Sequence, residues 1–307
     1  MEPLRVALPL GIGDCHWSVQ KLRGLSELHG GRPIRAFVNE SEHHHSWRYL
    51  ALVPFIAEAQ RSERAPHSIR HELAQGYQDE RWATREGSRD WNGFDYVMVA
   101  NGHLEAGRRI EAFFPDVPTD YTYDLEIPAD VAADAERKIP RRRVLLYPSG
   151  CGPNAGFHGN TWTVDHWRQV ISLLNDAGHE PVLIGAPTED DMTYRDQVVW
   201  RATGLRFLDR VGSTSHGEVL AAIRDSAAWC GLNSGLGIVA ASQYVPTVML
   251  WADNRYRCRG AHTQLHHRMQ RSWLCEEQLA TYRTVSYGSP EISPEHVVEQ
   301  ILEVARS

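Results

Sequence analysis

The stretch Ser226–Trp251, SAAWCGLNSGLGIVAASQYVPTVMLW, decides the fold. It reads as a short apolar strand (Ala227–Cys230), a glycine-flanked turn (Gly231, Asn233, Ser234, Gly235), a small-residue helix (Leu236–Ser242) and a second strand (Thr247–Trp251). That order makes a βαβ unit. A tight turn feeding directly into a helix presents free backbone N–H groups and the positive end of the helix dipole, so an anion is favoured there. Gly235 and Gly237 lack a Cβ and let a ligand approach the backbone, while Asn233 and Ser234 add short polar side chains. Taken alone, the same turn also serves as an ordinary strand-to-helix connection. The rest of the chain has to decide.

Working outward, the same rhythm recurs. Val144–Tyr147 is a strand, Pro148–Asn160 a glycine-rich loop, and Thr163–Ala177 a helix capped by Thr163. Pro181–Ile184 is a strand closing on Gly185-Ala186-Pro187, with a helix from Glu189 to Ala202 and a strand at Leu205–Leu208. Ser215 and Glu218 form a capping-box match opening a helix to Asp225, and Ser293 caps a last helix over Pro294–Ala305. The first half opens with a strand at Leu4–Leu10, the turn Gly11-Ile12-Gly13-Asp14-Cys15-His16-Trp17, and a helix from Ser18 to His29. His16 occupies the third glycine position of a GxGxxG fingerprint, which argues against a nicotinamide cofactor. A strand at Ile34–Val38, a helix at Trp47–Ala59, polar connections over Ser62–Gly93 and a strand at Tyr96–Ala100 follow.

Pro115, Pro118, Pro128, Pro140 and the run Arg141-Arg142-Arg143 mark a break in character. The expected architecture is α/β, with two Rossmann-like domains facing across a cleft. Residues 1–125 form a first domain, 126–143 a linker, 144–290 a second domain and 291–307 a terminal helix. The turns Gly11–Trp17 and Asn233–Gly237 are expected to face one another across that cleft.

Composition sets bounds. The chain has 307 residues, enough for two domains. No run approaches the ~20 apolar residues of a membrane span. MEPLRVALPL lacks the pattern of a signal peptide, so a cytoplasmic location is expected. The five cysteines are scattered without a CxxC pair, which gives neither a zinc site nor a disulfide framework. The net charge of −7 argues against a broad nucleic-acid surface. His43, His44 and His45 are adjacent, and three neighbouring histidines do not converge on one ion without an unusual loop. No metal and no cofactor are expected.

Four segments carry a resemblance. VLLYPSGCGPN, HGNTWTVDHWRQVISLLNDAGHEPVLIGAPTEDD and VGSTSHGEVLAAIRDSAAWCGLNSGLGIVAASQYVPTVMLW together resemble the C-terminal half of the heptosyltransferase-like glycosyltransferases, and GIGDCHW resembles their N-terminal Gly-Asp turn. The resemblance implies the GT-B fold and transfer of a sugar from a nucleotide-sugar donor. It implies Asp14 as the catalytic base, since an acceptor hydroxyl must lose a proton as it attacks the anomeric carbon. It implies Ser149 and Gly150 on the phosphate side, Asn160 and Trp162 in the following loop, Gly185 and Pro187 beside the nucleoside, and Asn233, Ser234, Gly235, Leu236 and Gly237 at the diphosphate. Amides at that turn would stabilise the leaving diphosphate without a metal. Gly13, His16 and Asn101 are expected on the acceptor side.

The chain departs from the family pattern at Asn160, where a basic residue is usual, at Asn233, where an aspartate is usual, and at Ile238, where a histidine is usual. Arg255, Arg257 and Arg259 are alternative counter-charges. A glycan or lipopolysaccharide-type acceptor follows from the resemblance. The arginine-rich segment Arg255–Arg271 keeps open a rival acceptor, a hydroxylated base in DNA. The departures motivate a non-catalytic nucleotide-sugar-binding protein as another reading. A sugar-nucleotide epimerase using His16 and Glu189 is a third. The donor sugar, its nucleotide and the oligomeric state are not set by the sequence.

Overall fold

The computed structural model describes residues 1–9, 11–39, 46–63, 65, 88–91, 93–100, 103–104, 107–148, 162–187, 189–252, 271–287 and 292–306. Two compact units divide the chain. The first is Met1–Glu126 with Arg268–Cys275, and the second is Ile127–His267 with Glu276–Ser307.

In the first unit, β1 (Leu4–Leu8), β2 (Ile34–Val38), β3 (Ile56–Arg61), β4 (Ser88–Trp91) and β5 (Phe94–Val97) form a sheet in the order β3-β2-β1-β5-β4. β1 runs parallel to both β2 and β5, and only β4 is antiparallel to its neighbour. Being central and parallel, β1 buries Leu4, Val6, Ala7 and Leu8 in an almost unbroken apolar run. Helices α1 (Ile12–Val19), α2 (Leu22–Leu28) and α3 (Ser46–Leu50) accompany it.

Two expectations need correction here. The helix expected from Ser18 begins at Ile12, so Asp14 and His16 sit on a helix and not in a turn. The helix expected over Trp47–Ala59 stops at Leu50, and Ile56–Arg61 is a strand. Pro54 interrupts the helical ladder, and β3 instead pairs with β2 from Ile34↔Ile56 onward. Sheet pairing overrides the local preference.

In the second unit, β6 (Val144–Tyr147), β7 (Val182–Leu183), β8 (Leu208–Asp209), β9 (Ala228–Leu232), β10 (Thr247–Ala252) and β11 (Tyr282–Tyr287) form one parallel sheet, ordered β11-β10-β9-β6-β7-β8. Counted from β6 within the unit, that is the 3-2-1-4-5-6 order of a doubly wound Rossmann sheet. The strand expected over Leu205–Leu208 is shifted to Leu208–Asp209.

The helices of this unit are α4 (Ala129–Lys138), α5 (Val164–Asp176), α6 (Glu189–Arg201), α7 (His216–Arg224), α8 (Gly235–Ser242), α9 (Glu276–Ala280) and α10 (Pro294–Val304). The expected capping residues are in place. Ser215 Oγ accepts from Glu218 N at 3.3 Å while Ser215 N donates to Glu218 Oε2 at 2.6 Å. Ser293 Oγ accepts from His296 N at 3.3 Å. Within 126–143, the stretch read as a linker, α4 packs against α7, and Lys138 Nζ donates to both Glu218 carboxylate oxygens at 2.7 and 2.8 Å. No helix among the described residues is long and apolar enough to cross a membrane.

Candidate functional site

In the second unit the sheet changes winding direction between β6 and β9, and a doubly wound sheet takes ligands beyond the carboxyl ends of such strands. β9 ends at Leu232 and the chain passes through Asn233 and Ser234 into α8. Asn233 N donates to Leu250 O at 2.9 Å, which ties the turn to β10. Ser234 is the helix cap: its Oγ accepts from Gly237 N at 3.4 Å, and its carbonyl accepts from Ile238 N at 3.2 Å. That leaves Gly235 and Leu236, both half-buried, with amides that have no acceptor inside the helix. The first turn of α8 holds no acidic residue. An anion meets backbone donors and no competing carboxylate from the helix itself.

The two glycines of this turn differ in purpose. A Cβ on Gly237 would stand 2.5 Å from Met249 Cε and 2.6 Å from Trp229 Cη2. Gly237 is therefore required by the packing of α8 onto β9 and β10, which corrects the expectation that it admits a ligand. Gly231 is similar, with a Cβ meeting Tyr147 O at 2.7 Å. Gly235, at the half-exposed end, remains the position where a ligand can approach. Ile238, the departure from a histidine, is 6% exposed and belongs to the core. Its side chain faces inward.

The first unit repeats the arrangement with different chemistry. β1 lies between β2 and β5, so the turn after β1 also stands at a change of winding direction. Gly11 precedes α1 with φ 98°, a left-handed backbone that side chains rarely adopt. Its amide donates to Ser46 Oγ on α3 at 3.0 Å. Half-buried Asp14 occupies the first turn of α1, at the positive end of the helix dipole. A Cβ on Gly11 would lie 3.7 Å from Asp14 Oδ2, so the carboxylate reaches back over the turn. Gly13 is buried within the helix.

His16 is not at the surface where an acceptor would meet it. It is fully buried, and burial holds its pKa down at about 3, so the ring is neutral. Its Nδ1 lies 2.9 Å from Tyr49 OH and 2.5 Å from Tyr123 OH. Neither tyrosine stood out in the sequence, although Ser46 and Tyr49, three apart, share the helix face that reaches α1.

Trp162 is likewise corrected. It is 1% exposed, stacks on His166 with ring centroids 4.8 Å apart and sits in the core of the second unit. It supports α5 and offers no ring to a nucleoside. Gly185 is buried after β7, its carbonyl accepting from Gly212 N at 3.0 Å, while Pro187 is exposed beside it. Ser149, Gly150, Asn160 and Asn101 lie outside the described residues, as do His43–His45 and Arg255, Arg257 and Arg259. Glu189 opens α6. Among the described residues no group of histidine, cysteine, aspartate or glutamate side chains could hold a metal ion.

The sequence matches glycosyltransferase family 9 (heptosyltransferase) over residues 94–282, more than half of the chain. The protein belongs to this family. It is a glycosyltransferase, and its fold is the GT-B class of two Rossmann-like units. The matched span holds the whole turn from β9 to α8 but begins beyond Asp14.

Solved structures of similar fold extend over the full chain. One is the E. coli ADP-heptose lps heptosyltransferase II, 15% identical, covering 100% of this chain and 99% of its own, with TM-score 0.63. A second is a family 9 glycosyl transferase from Veillonella parvula, 12% identical, covering 99% and 97%, with TM-score 0.66. A third is the E. coli heptosyltransferase WaaC with ADP, 13% identical, covering 99% and 100%, with TM-score 0.57. At these identities the likeness speaks for the fold alone. No curated protein matches the sequence.

Proposed function

We propose that this family 9 glycosyltransferase moves a sugar from a nucleotide-sugar donor to an acceptor hydroxyl without a metal ion. The diphosphate rests on the amides of Gly235 and Leu236, with Ser234 capping the helix behind them. Asp14 accepts the proton of the acceptor hydroxyl as it attacks the anomeric carbon. The unit Ile127–His267 holds the donor, and Met1–Glu126 the acceptor. The acceptor is a glycan or lipopolysaccharide-type molecule, taken up in the cytoplasm.

One observation carries this reading. The turn at the change of winding direction in the second unit ends in a helix whose Gly235 and Leu236 amides have no acceptor within the helix and whose first turn holds no acid. Charge that develops on a leaving diphosphate is stabilised by such preorganised donors. The E. coli neighbours named with ADP and ADP-heptose make an ADP-sugar the first donor to offer.

The departures at Asn160 and Asn233 favour a second reading, a protein that binds a nucleotide-sugar and does not turn it over. A thermal-shift panel of ADP-, GDP-, UDP-, CMP- and dTDP-sugars, with and without magnesium, comes first. A ligand that binds only the folded state raises the midpoint by mass action. A magnesium-independent rise with one donor, followed by release of its nucleoside diphosphate, supports transfer. A rise without turnover under any acceptor selects the binding protein. Silence across the panel removes the diphosphate assignment.

A further inference from the structure

Three polar side chains meet inside the first unit and touch no solvent: His16 is 0% exposed, Tyr49 0% and Tyr123 2%. They come from α1, α3 and the extended segment that follows Thr122. His16 Nδ1 faces both hydroxyls, and the hydroxyls hydrogen-bond each other. Burial pushes both phenols up and the imidazole down, so all three groups are neutral and protonated once. Nδ1 and the two hydroxyls thus close a three-membered hydrogen-bonded cluster. Trp273 closes the other side of the ring edge-on at 6.4 Å, and its carbonyl is held by Gln20 Nε2 at 2.9 Å.

This network grips a short helix. α1 spans only Ile12–Val19, too short to hold its direction by its own hydrogen bonds. Apolar burial of Cys15, Trp17 and Val19 decides which face points inward but has no directional preference. Direction comes from α3, which reaches α1 twice, through Ser46 at Gly11 and through Tyr49 at His16. Asp14 lies between those two anchor points in the chain.

We infer that His16, Tyr49 and Tyr123 form a positioning device for Asp14, fixing the rotation of α1 so that the carboxylate stays over the Gly11 turn. The inference rests on reading Asp14 as the base. The trio touches no substrate and acts through the helix. Its neutrality matters too. An imidazolium two residues from the carboxylate would weaken the proton affinity that a base needs.

The test compares Tyr49→Phe, Tyr123→Phe, the double variant and Asp14→Asn. It follows kcat for nucleoside diphosphate release from the panel nucleotide-sugar that shifts the wild-type midpoint, the donor KM and the donor-induced shift. The double variant is expected to lose at least about 10-fold in kcat, since small misplacements of a reacting group cost that much or more. Donor KM and donor shift stay within about twofold, because the donor unit is untouched. Each single variant loses less, the remaining hydroxyl still holding Nδ1. A double variant that melts earlier but keeps wild-type kcat overturns the inference. Should the double variant fail to fold, wild-type kcat in both single variants overturns it equally. Wild-type turnover in Asp14→Asn is a separate failure, that of the base itself, and is read independently of the tyrosines.

Discussion

The turns after β1 and after β9 are built to one plan, and only the first carries a negative charge of its own. Each leaves the carboxyl end of a central parallel strand at a change of winding direction and enters a helix of eight residues. The first places a carboxylate, Asp14, in the opening turn of its helix and has no side-chain cap. The second has a serine cap and no acid in its opening turn. A helix N-terminus favours one negative charge, and in α1 the protein supplies that charge itself. In α8 it supplies none. Under the proposed function, the same backbone device serves once for the base carboxylate and once for the diphosphate.

Removing the charge from the first turn breaks the comparison most directly. Asp14→Asn should lower turnover by about 10²–10⁴-fold while leaving the donor-induced thermal shift in place. Steady-state kinetics alongside the shift check both, and wild-type turnover removes Asp14 from the chemistry.

Making the second turn resemble the first sharpens it. Gly235→Asp puts a carboxylate where the diphosphate is expected, and the donor shift should vanish. The free protein should melt no earlier, because an acid in a helix's first turn adds about 0.3–1 kcal/mol. A retained donor shift would place the diphosphate elsewhere.

The buried support of the first turn predicts a pH effect. His16 has a folded pKa of about 3 against 6.5 unfolded, so the unfolded chain binds the extra proton between those values. Stability therefore rises with pH across that window and is lost as pH falls below 6.5, at up to about 1.4 kcal/mol per pH unit. Tyr49 and Tyr123, whose hydroxyls face the ring, are pushed up by burial and stay neutral across that window. His166, lowered by partial burial, contributes in the same direction. Urea denaturation at pH 7 and pH 5 should show a shallower loss in His16→Gln than in the wild type. Equal slopes would mean that His16 is solvated in solution.

The smallest effect separates packing from binding within the second turn. Gly237→Ala forces a methyl against Met249 and Trp229 and should cost about 1–3 kcal/mol in denaturant unfolding. An alanine there that folds normally but no longer binds donor would return Gly237 to the ligand.

Much of this was legible from the residues, for reasons that are local. The Ser215–Glu218 box, the Ser293 cap and the strand–turn–helix run from Ala228 are written in neighbouring positions, so sequence order suffices. Ile56–Arg61 could not be read that way, because its strand state comes from pairing with β2, more than twenty residues earlier. Trp162 and His16 misled for a related reason. An aromatic or a histidine in a polar motif looks the same whether it faces a ligand or the core, and only packing across distant segments separates the two. Tyr123 and Trp273 reach His16 from far along the chain, which no local pattern reveals. Asp14 and Gly235 stand out as a carboxylate and a glycine beside a strand end, and the structure adds that each lies in the first turn of a helix.

The central claim is that the turn at Asn233–Gly237 is the diphosphate seat. A crystal structure of the protein with the nucleotide-sugar selected by the thermal-shift panel tests it most directly. The expected result is diphosphate oxygens within hydrogen-bond distance of the Gly235 and Leu236 amides, without a bridging metal. Diphosphate density away from this turn, or held through a metal ion, would contradict it.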